Sequence, residues 1–200
     1  MLTNKLEKSL SEYAQRKFCL MTRSGTAALI TALQSFELPP DAEVIMPAIT
    51  CPVVLSAIMI AGFKPVLADI SLDNFCMGPD EAQAVITKKT KAIIAIHAFG
   101  KPCLIEQLSE FAQSHQLFLI EDTCLAFGAT LNHKPLGSFG DITVFSFGHD
   151  KILDVGGGGA LLCNALKFQH NAREFLNKNS FFQNHNESQE KLILQKNRQP

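Results

Sequence analysis

The sequence has no tryptophan, a single tyrosine and only 18% charged residues, with a formal net charge of -1. So little charge of either sign offers no electrostatic footprint for nucleic acid or for an anionic membrane surface. Long apolar runs are also missing. The longest candidate, residues 52–61, falls far short of a bilayer span. None of the six cysteines (Cys19, Cys51, Cys76, Cys103, Cys124, Cys163) belongs to a C-x-x-C pair, which argues against a zinc site. The opening residues, Met1-Leu2-Thr3-Asn4-Lys5-Leu6-Glu7, lack the charged-then-apolar pattern of a secretory leader, so a cytoplasmic protein is expected. In that reducing setting the cysteines read as small apolar core residues, and the sequon Asn186-Glu187-Ser188 carries no meaning.

What is present is core material. With 46% hydrophobic residues in a chain of 200, there is enough for one sizeable domain, or one domain and part of another. Helical spacing of Leu6, Leu10 and Tyr13 predicts a first helix over 3–16, followed by a short strand at 18–21 and an Ala/Leu-rich helix over 26–36 that Pro39-Pro40 stops. Strands are then expected at 43–46, 65–68, 91–97 and 117–120, alternating with helices at 52–61, 79–86 and 104–115. The strands are nearly continuous apolar runs. That is the pattern of a mostly parallel sheet covered by helices on both faces, an α/β fold. A small hairpin at 131–137, strands at 142–147 and 158–163 and a helix at 165–177 complete an α/β domain over 1–176. Residues 177–200, rich in Asn, Gln and Lys around a lone apolar patch at Leu192-Ile193-Leu194, read as a polar connector or tail. No internal repeat is visible.

Three features bear on chemistry. The strand ending in Glu121-Asp122 puts a carboxylate where open α/β sheets bind ligands, beyond the carboxyl ends of their strands. Lys151 follows another apolar strand and precedes four glycines, Gly156 to Gly159. Ser24-Gly25-Thr26 opens a helix, where backbone amides favour an anion. Each feature alone is ordinary: a strand-end aspartate caps turns, a lone lysine lies on surfaces, and Ser-Gly-Thr opens many helices. Together they are the amine, carboxylate and phosphate seat that pyridoxal phosphate requires. The glycine run lacks Walker spacing, and no G-x-G-x-x-G joins a first strand to its helix. These glycines are therefore expected to allow tight turning and close approach to a cofactor or a partner chain. His97, His149 and Asp150 are read as structural, the last two because neighbours on an extended chain point to opposite sides.

In order along the chain, Ser24-Gly25-Thr26-Ala27-Ala28-Leu29, Glu43-Val44-Ile45-Met46-Pro47, Lys91-Ala92-Ile93-Ile94, Glu121-Asp122, Gly137-Ser138-Phe139-Gly140-Asp141 and Phe145-Ser146-Phe147 lead to Lys151 and the glycines. This series resembles the DegT/DnrJ/EryC1/StrS family of sugar aminotransferases over about residues 18–164. The resemblance implies a type I aminotransferase-like large domain whose smaller C-terminal domain is absent from this sequence. It also implies pyridoxal phosphate as cofactor, a homodimer, and amino transfer, from glutamate, onto a nucleotide-linked keto sugar. Lys151 would join covalently to the cofactor and shuttle protons, Asp122 would pair with the ring nitrogen, and Gly25, Thr26 and Ser146 would hold the phosphate. The family branch that dehydrates sugars carries histidine in place of the lysine, and this chain keeps Lys151. Two positions depart from the pattern. Leu125 stands where a glutamine bonds the ring hydroxyl, and Cys51 where an aromatic residue stacks on the ring. Those departures and the short length leave a second expectation, a non-catalytic truncated relic or partner subunit.

Overall fold

The chain alternates as its apolar periodicity predicts: α1 (Leu2–Tyr13), β1 (Phe18–Thr22), α2 (Gly25–Ser35), β2 (Glu43–Pro47), α3 (Pro52–Ile60), β3 (Lys64–Ala68), α4 (Pro79–Val85), β4 (Thr90–Ile96), α5 (Ile105–Ser114), β5 (Phe118–Asp122), the hairpin β6 (Thr130–Leu131) and β7 (Lys134–Pro135), β8 (Ile142–Ser146), β9 (Gly159–Cys163), α6 (Leu166–Lys178) and α7 (Glu187–Lys196). This computed structural model describes residues 2–184 and 187–196; Asn186 of the sequon and the end of the tail lie outside the described residues. Local chemistry accounts for several helix starts. Ser24 caps α2 by accepting from Ala27 N at 3.1 Å, and proline opens α3 and α4. At α4 the Glu81 carboxylate also reaches back to the Gly78 amide at 2.7 Å.

Seven strands join in the order β1-β9-β8-β5-β4-β2-β3. The β8-β5, β5-β4, β4-β2 and β2-β3 pairs are parallel, whereas β9 runs antiparallel to both of its neighbours. Apolar patterning does not reveal this reversal, because β9 is buried along its whole length. It has a useful consequence: β9 begins where β1 and β8 end, with Gly159 registered against both Thr22 and Ser146. Alternation along each strand then divides the core. Val44, Ile94, Ile120, Val144 and Leu161 pack under α2, α3 and α6. Their neighbours Ile45, Ile93 and Leu119 pack under α4 and α5, and Phe145 and Leu162 under α1 and α7.

The tail differs from its reading as a polar connector. It carries the end of α6 and all of α7, and α7 lies on α1 with Ile193 and Leu194 buried. Ile193 and Leu194 of the lone apolar patch make its docking face, while Leu192 stays exposed. The buried Glu190 carboxylate secures it, accepting from Thr3 Oγ1 at 2.9 Å and Asn184 Nδ2 at 3.2 Å. Among the described residues no helix is long and apolar enough to cross a membrane.

Candidate active site

Strand alternation sorts the two adjacent carboxylates at the end of β5. Asp122 shares the parity of Ile120 and so lies on the α2 side, while Glu121 faces the opposite layer. Ser146, at the end of the neighbouring β8, shares the parity of Val144 and joins Asp122 on the α2 side. The start of α2 meets them there. A methyl group added at Gly25 would lie 2.6 Å from Ser146 Cβ, 2.9 Å from Ser146 Oγ and 3.4 Å from Cys124 Sγ. The missing side chain at position 25 is what lets the helix end close down on β8.

In the first turn of α2, Ala27 N is taken by the Ser24 hydroxyl and Ala28 N by the Ser24 carbonyl. The isolated bridge between Ser24 and Gly158 sets the Gly25 amide against the start of β9. Gly25 thus brings to this turn both its small size and a backbone N–H. The Thr26 N–H and the hydroxyls of Thr26 and Ser146 remain without a hydrogen-bond partner among the described residues. An open amide and two hydroxyls at the positive end of a helix dipole form a seat suited to an anion. Asp122 is 7% exposed, and its Oδ1 accepts from Cys124 N at 2.9 Å. That bond holds the carboxylate at the strand end.

Lys151 lies, half-buried, on the long loop after β8. The base of that loop is closed at Phe147, whose carbonyl accepts from Val155 N and Gly157 N, each at 3.1 Å, and whose N–H donates to Gly158 O at 3.0 Å. Asp150, at φ 62°, turns the chain just before the lysine. The Cys124 thiol reports on its surroundings. Burial and the Asp122 carboxylate push its pKa well up, and the Lys151 ammonium pulls the other way. Both charges act on one sulfur, which itself packs against Gly25. His149 and Asp150 stay outside this cluster; His149 is exposed and lies 3.7 Å from Asp154.

Glu121 has a structural task on the other face. It accepts from Gly137 N (2.6 Å), Phe139 N (2.8 Å) and Gly140 N (3.0 Å), so the Gly137–Asp141 motif is a loop wrapped around a buried carboxylate. His97 completes the cage. Its Nδ1 accepts from Cys103 N, leaving Nε2 to donate to Glu121 Oε1 at 3.1 Å. Burial raises the Glu121 pKa, but the bonds from His97, Gly137 and Gly140 outweigh it and hold the carboxyl below its ordinary value. Arg16 closes the loop from behind, donating to the carbonyls of Gly137 and Gly140 at 2.7 Å each.

The cysteines require a correction. Cys19, Cys76, Cys103 and Cys163 are core residues as expected, and burial pushes the Cys163 thiol up to about 11. Cys51 is exposed at the cap of α3, and Cys124 is only partly buried beside Asp122. Residue type alone could not separate these two from the other four. Their positions just after the predicted strands at 43–46 and 117–120 were the available signal. A groove of about 480 Å³, lined by Glu7, Arg16, Phe18 and Arg173 among others, lies at the amino end of β1, away from the strand carboxyl ends.

The mostly parallel seven-stranded sheet with its covering helices matches the large α/β domain of solved aminotransferases. Residues 2–194 match the DegT/DnrJ/EryC1/StrS aminotransferase family, and the chain belongs to it. It is 36% identical over 160 residues to a GDP-perosamine synthase of Escherichia coli O157:H7, covering 80% of this chain and 44% of that protein. It superposes with a TM-score of 0.91 on PseC of Helicobacter pylori, an aminotransferase involved in the biosynthesis of pseudoaminic acid, at 25% identity, covering 98% of this chain and 57% of that one. NtdA of Bacillus subtilis, solved with bound cofactor PMP, matches with a TM-score of 0.83 and 32% identity over 88% of this chain and 40% of its own. The chain spans about half the length of the relatives it matches.

Proposed function

We propose that this chain is the cofactor-binding half of a pyridoxal-phosphate-dependent sugar aminotransferase, one that moves an amino group from glutamate onto a nucleotide-linked keto sugar. One observation carries this reading. The open Thr26 amide, the Thr26 and Ser146 hydroxyls and the Asp122 carboxylate share one side of the sheet at neighbouring strand ends, with Lys151 on the loop above them. These residues fit the group in its chemistry: an anion seat at one end, a carboxylate at the other, and an amine between strand and glycine run. When bound, pyridoxal phosphate supplies an aldehyde that joins an amine and a ring that draws electron density from a carbanion.

The remaining tasks fall to the chain. Thr26 and Ser146 bind the phosphate, and the α2 dipole favours its charge. Asp122, held by the Cys124 amide, would pair with the ring nitrogen and favour its protonated form. Lys151 would carry the amine that joins the cofactor and, once released, would take up and return a proton at its Nζ. The named sugar aminotransferases among the relatives support the substrate class. A cytoplasmic setting fits six cysteines that are all free thiols.

We further propose a homodimer. α3 is apolar all round apart from Ser56, and it leaves Val53, Met59 and Ile60 exposed beside Ile49. A helix of that composition is ordinarily buried. A second reading, a partner subunit or relic that keeps the fold without turnover, is favoured by Cys51 and Leu125. Neither side chain stacks on a ring or hydrogen-bonds its hydroxyl.

The test is direct. Protein mixed with pyridoxal phosphate is expected to develop a visible absorption band, and borohydride followed by peptide mapping is expected to find the cofactor on Lys151. Lys151→Ala should remove the band and the adduct with folding unchanged by circular dichroism. A colourless wild type without adduct leaves only the second reading.

A further inference from the structure

The last glycine of the run has a contact that a turn alone would not demand. A methyl group at Gly159 would overlap the carbonyl carbon and oxygen of Ser24 and lie 2.6 Å from Gly25 N. The obstacles are backbone atoms, which have no flexible end to swing away. Around this contact the two halves of the site are joined. Gly158 N donates to Arg23 O at 3.1 Å, Gly158 O accepts from Phe147 N at 3.0 Å, and Thr22 Oγ1 donates to Ser24 O at 3.0 Å. Gly159 also registers against Ser146 in the sheet. The base of the Lys151 loop therefore rests on the turn that opens α2. Ser24 and Gly25 in turn rest on Gly159.

Building on the cofactor reading above, we infer that Gly159 is a positioning residue that sets the phosphate seat relative to Lys151. It does so by letting the start of β9 press directly on the Ser24–Gly25 backbone. The first three glycines make the loop; the fourth fixes the spacing between seat and amine. A side chain at 159 displaces the α2 terminus from Ser146, so a ligand gripped by its phosphate no longer presents its aldehyde to Lys151. A ligand without a phosphate is indifferent to that displacement.

Borohydride trapping at Lys151 with two probes, pyridoxal phosphate and pyridoxal, tests this. For Gly159→Ala the expected result is at least a tenfold loss of trapping with limiting pyridoxal phosphate and none with saturating pyridoxal. Gly62→Ala controls for general destabilisation, since that residue has φ +87° with nothing within 4 Å and lies far from the site. It should lower the melting temperature and leave both probes unchanged. Equal trapping by Gly159→Ala and wild type overturns the inference, as does equal loss of both probes. Should Gly159→Ala not fold, hydrogen exchange on wild-type protein decides. Pyridoxal phosphate should slow the amides of 22–28 and 156–160 together and pyridoxal should not, whereas protection of 22–28 alone overturns the coupling. A wild type that traps neither probe removes the cofactor reading, and this inference with it.

Discussion

Glu121 and Asp122 are neighbours of the same charge, and a single peptide bond separates a structural anchor from the carboxylate proposed above to meet the cofactor. The pleat of β5 makes the distinction, sending Glu121 into a cage of amides and Asp122 towards α2. Because the folded state holds the Glu121 pKa below the ordinary 4.5, the carboxylate stabilises the fold above that value. This contribution is lost as pH falls from there through the lower folded value, since the unfolded chain takes up the proton first. Glu121→Gln is expected to cost about 2–3 kcal/mol at neutral pH, the scale of hydrogen bonds to a charged acceptor. Its stability should also vary less than wild type's below that pH, as urea denaturation across the acid range will show. The sequence marked both carboxylates as a strand ending, and the family resemblance singled out Asp122. The cage was not readable, because Gly137, Phe139 and Gly140 reach Glu121 only through the fold.

At the level of elements, the helices and strands of 3–163 were largely legible, since apolar periodicity and proline or glycine punctuation act locally. Two features were not. The reversal of β9 is invisible to composition, because a strand buried between two others reads the same in either direction. The docking of α7 was hidden by its polar surroundings: two buried apolar residues, Ile193 and Leu194, make a weak local signal, yet Ile193 is fully covered. Ile193→Ala is expected to destabilise the protein by about 2–4 kcal/mol, in the range for truncating a buried isoleucine, read as a lowered denaturation midpoint. A change within a few tenths of a kcal/mol would mean that α7 does not pack on α1 in solution.

For the whole molecule, the exposed flank of α3 is the feature least compatible with an isolated chain. Met59→Asp combined with Ile60→Asp replaces two surface side chains, so the fold should hold while the dimer is lost. Sedimentation velocity is expected to show a dimer for wild type and a monomer for the double variant at the same concentration. A wild type that sediments as a monomer would reject the dimer, and a variant still dimeric would move the interface off α3.

Local chemistry in the chain settled which segments form helices and strands, that the sheet is mostly parallel, and which amine, carboxylate and helix start were candidates for the site. Apolar period, capping and turn residues act over a few positions and need no knowledge of the rest. Assembly settled what depends on distant segments meeting: the reversed β9 that brings Gly159 under Ser24, the amide cage around Glu121, and which two of the six cysteines stay outside the core. Such contacts join residues from about sixteen to more than a hundred positions apart, and no local pattern records them.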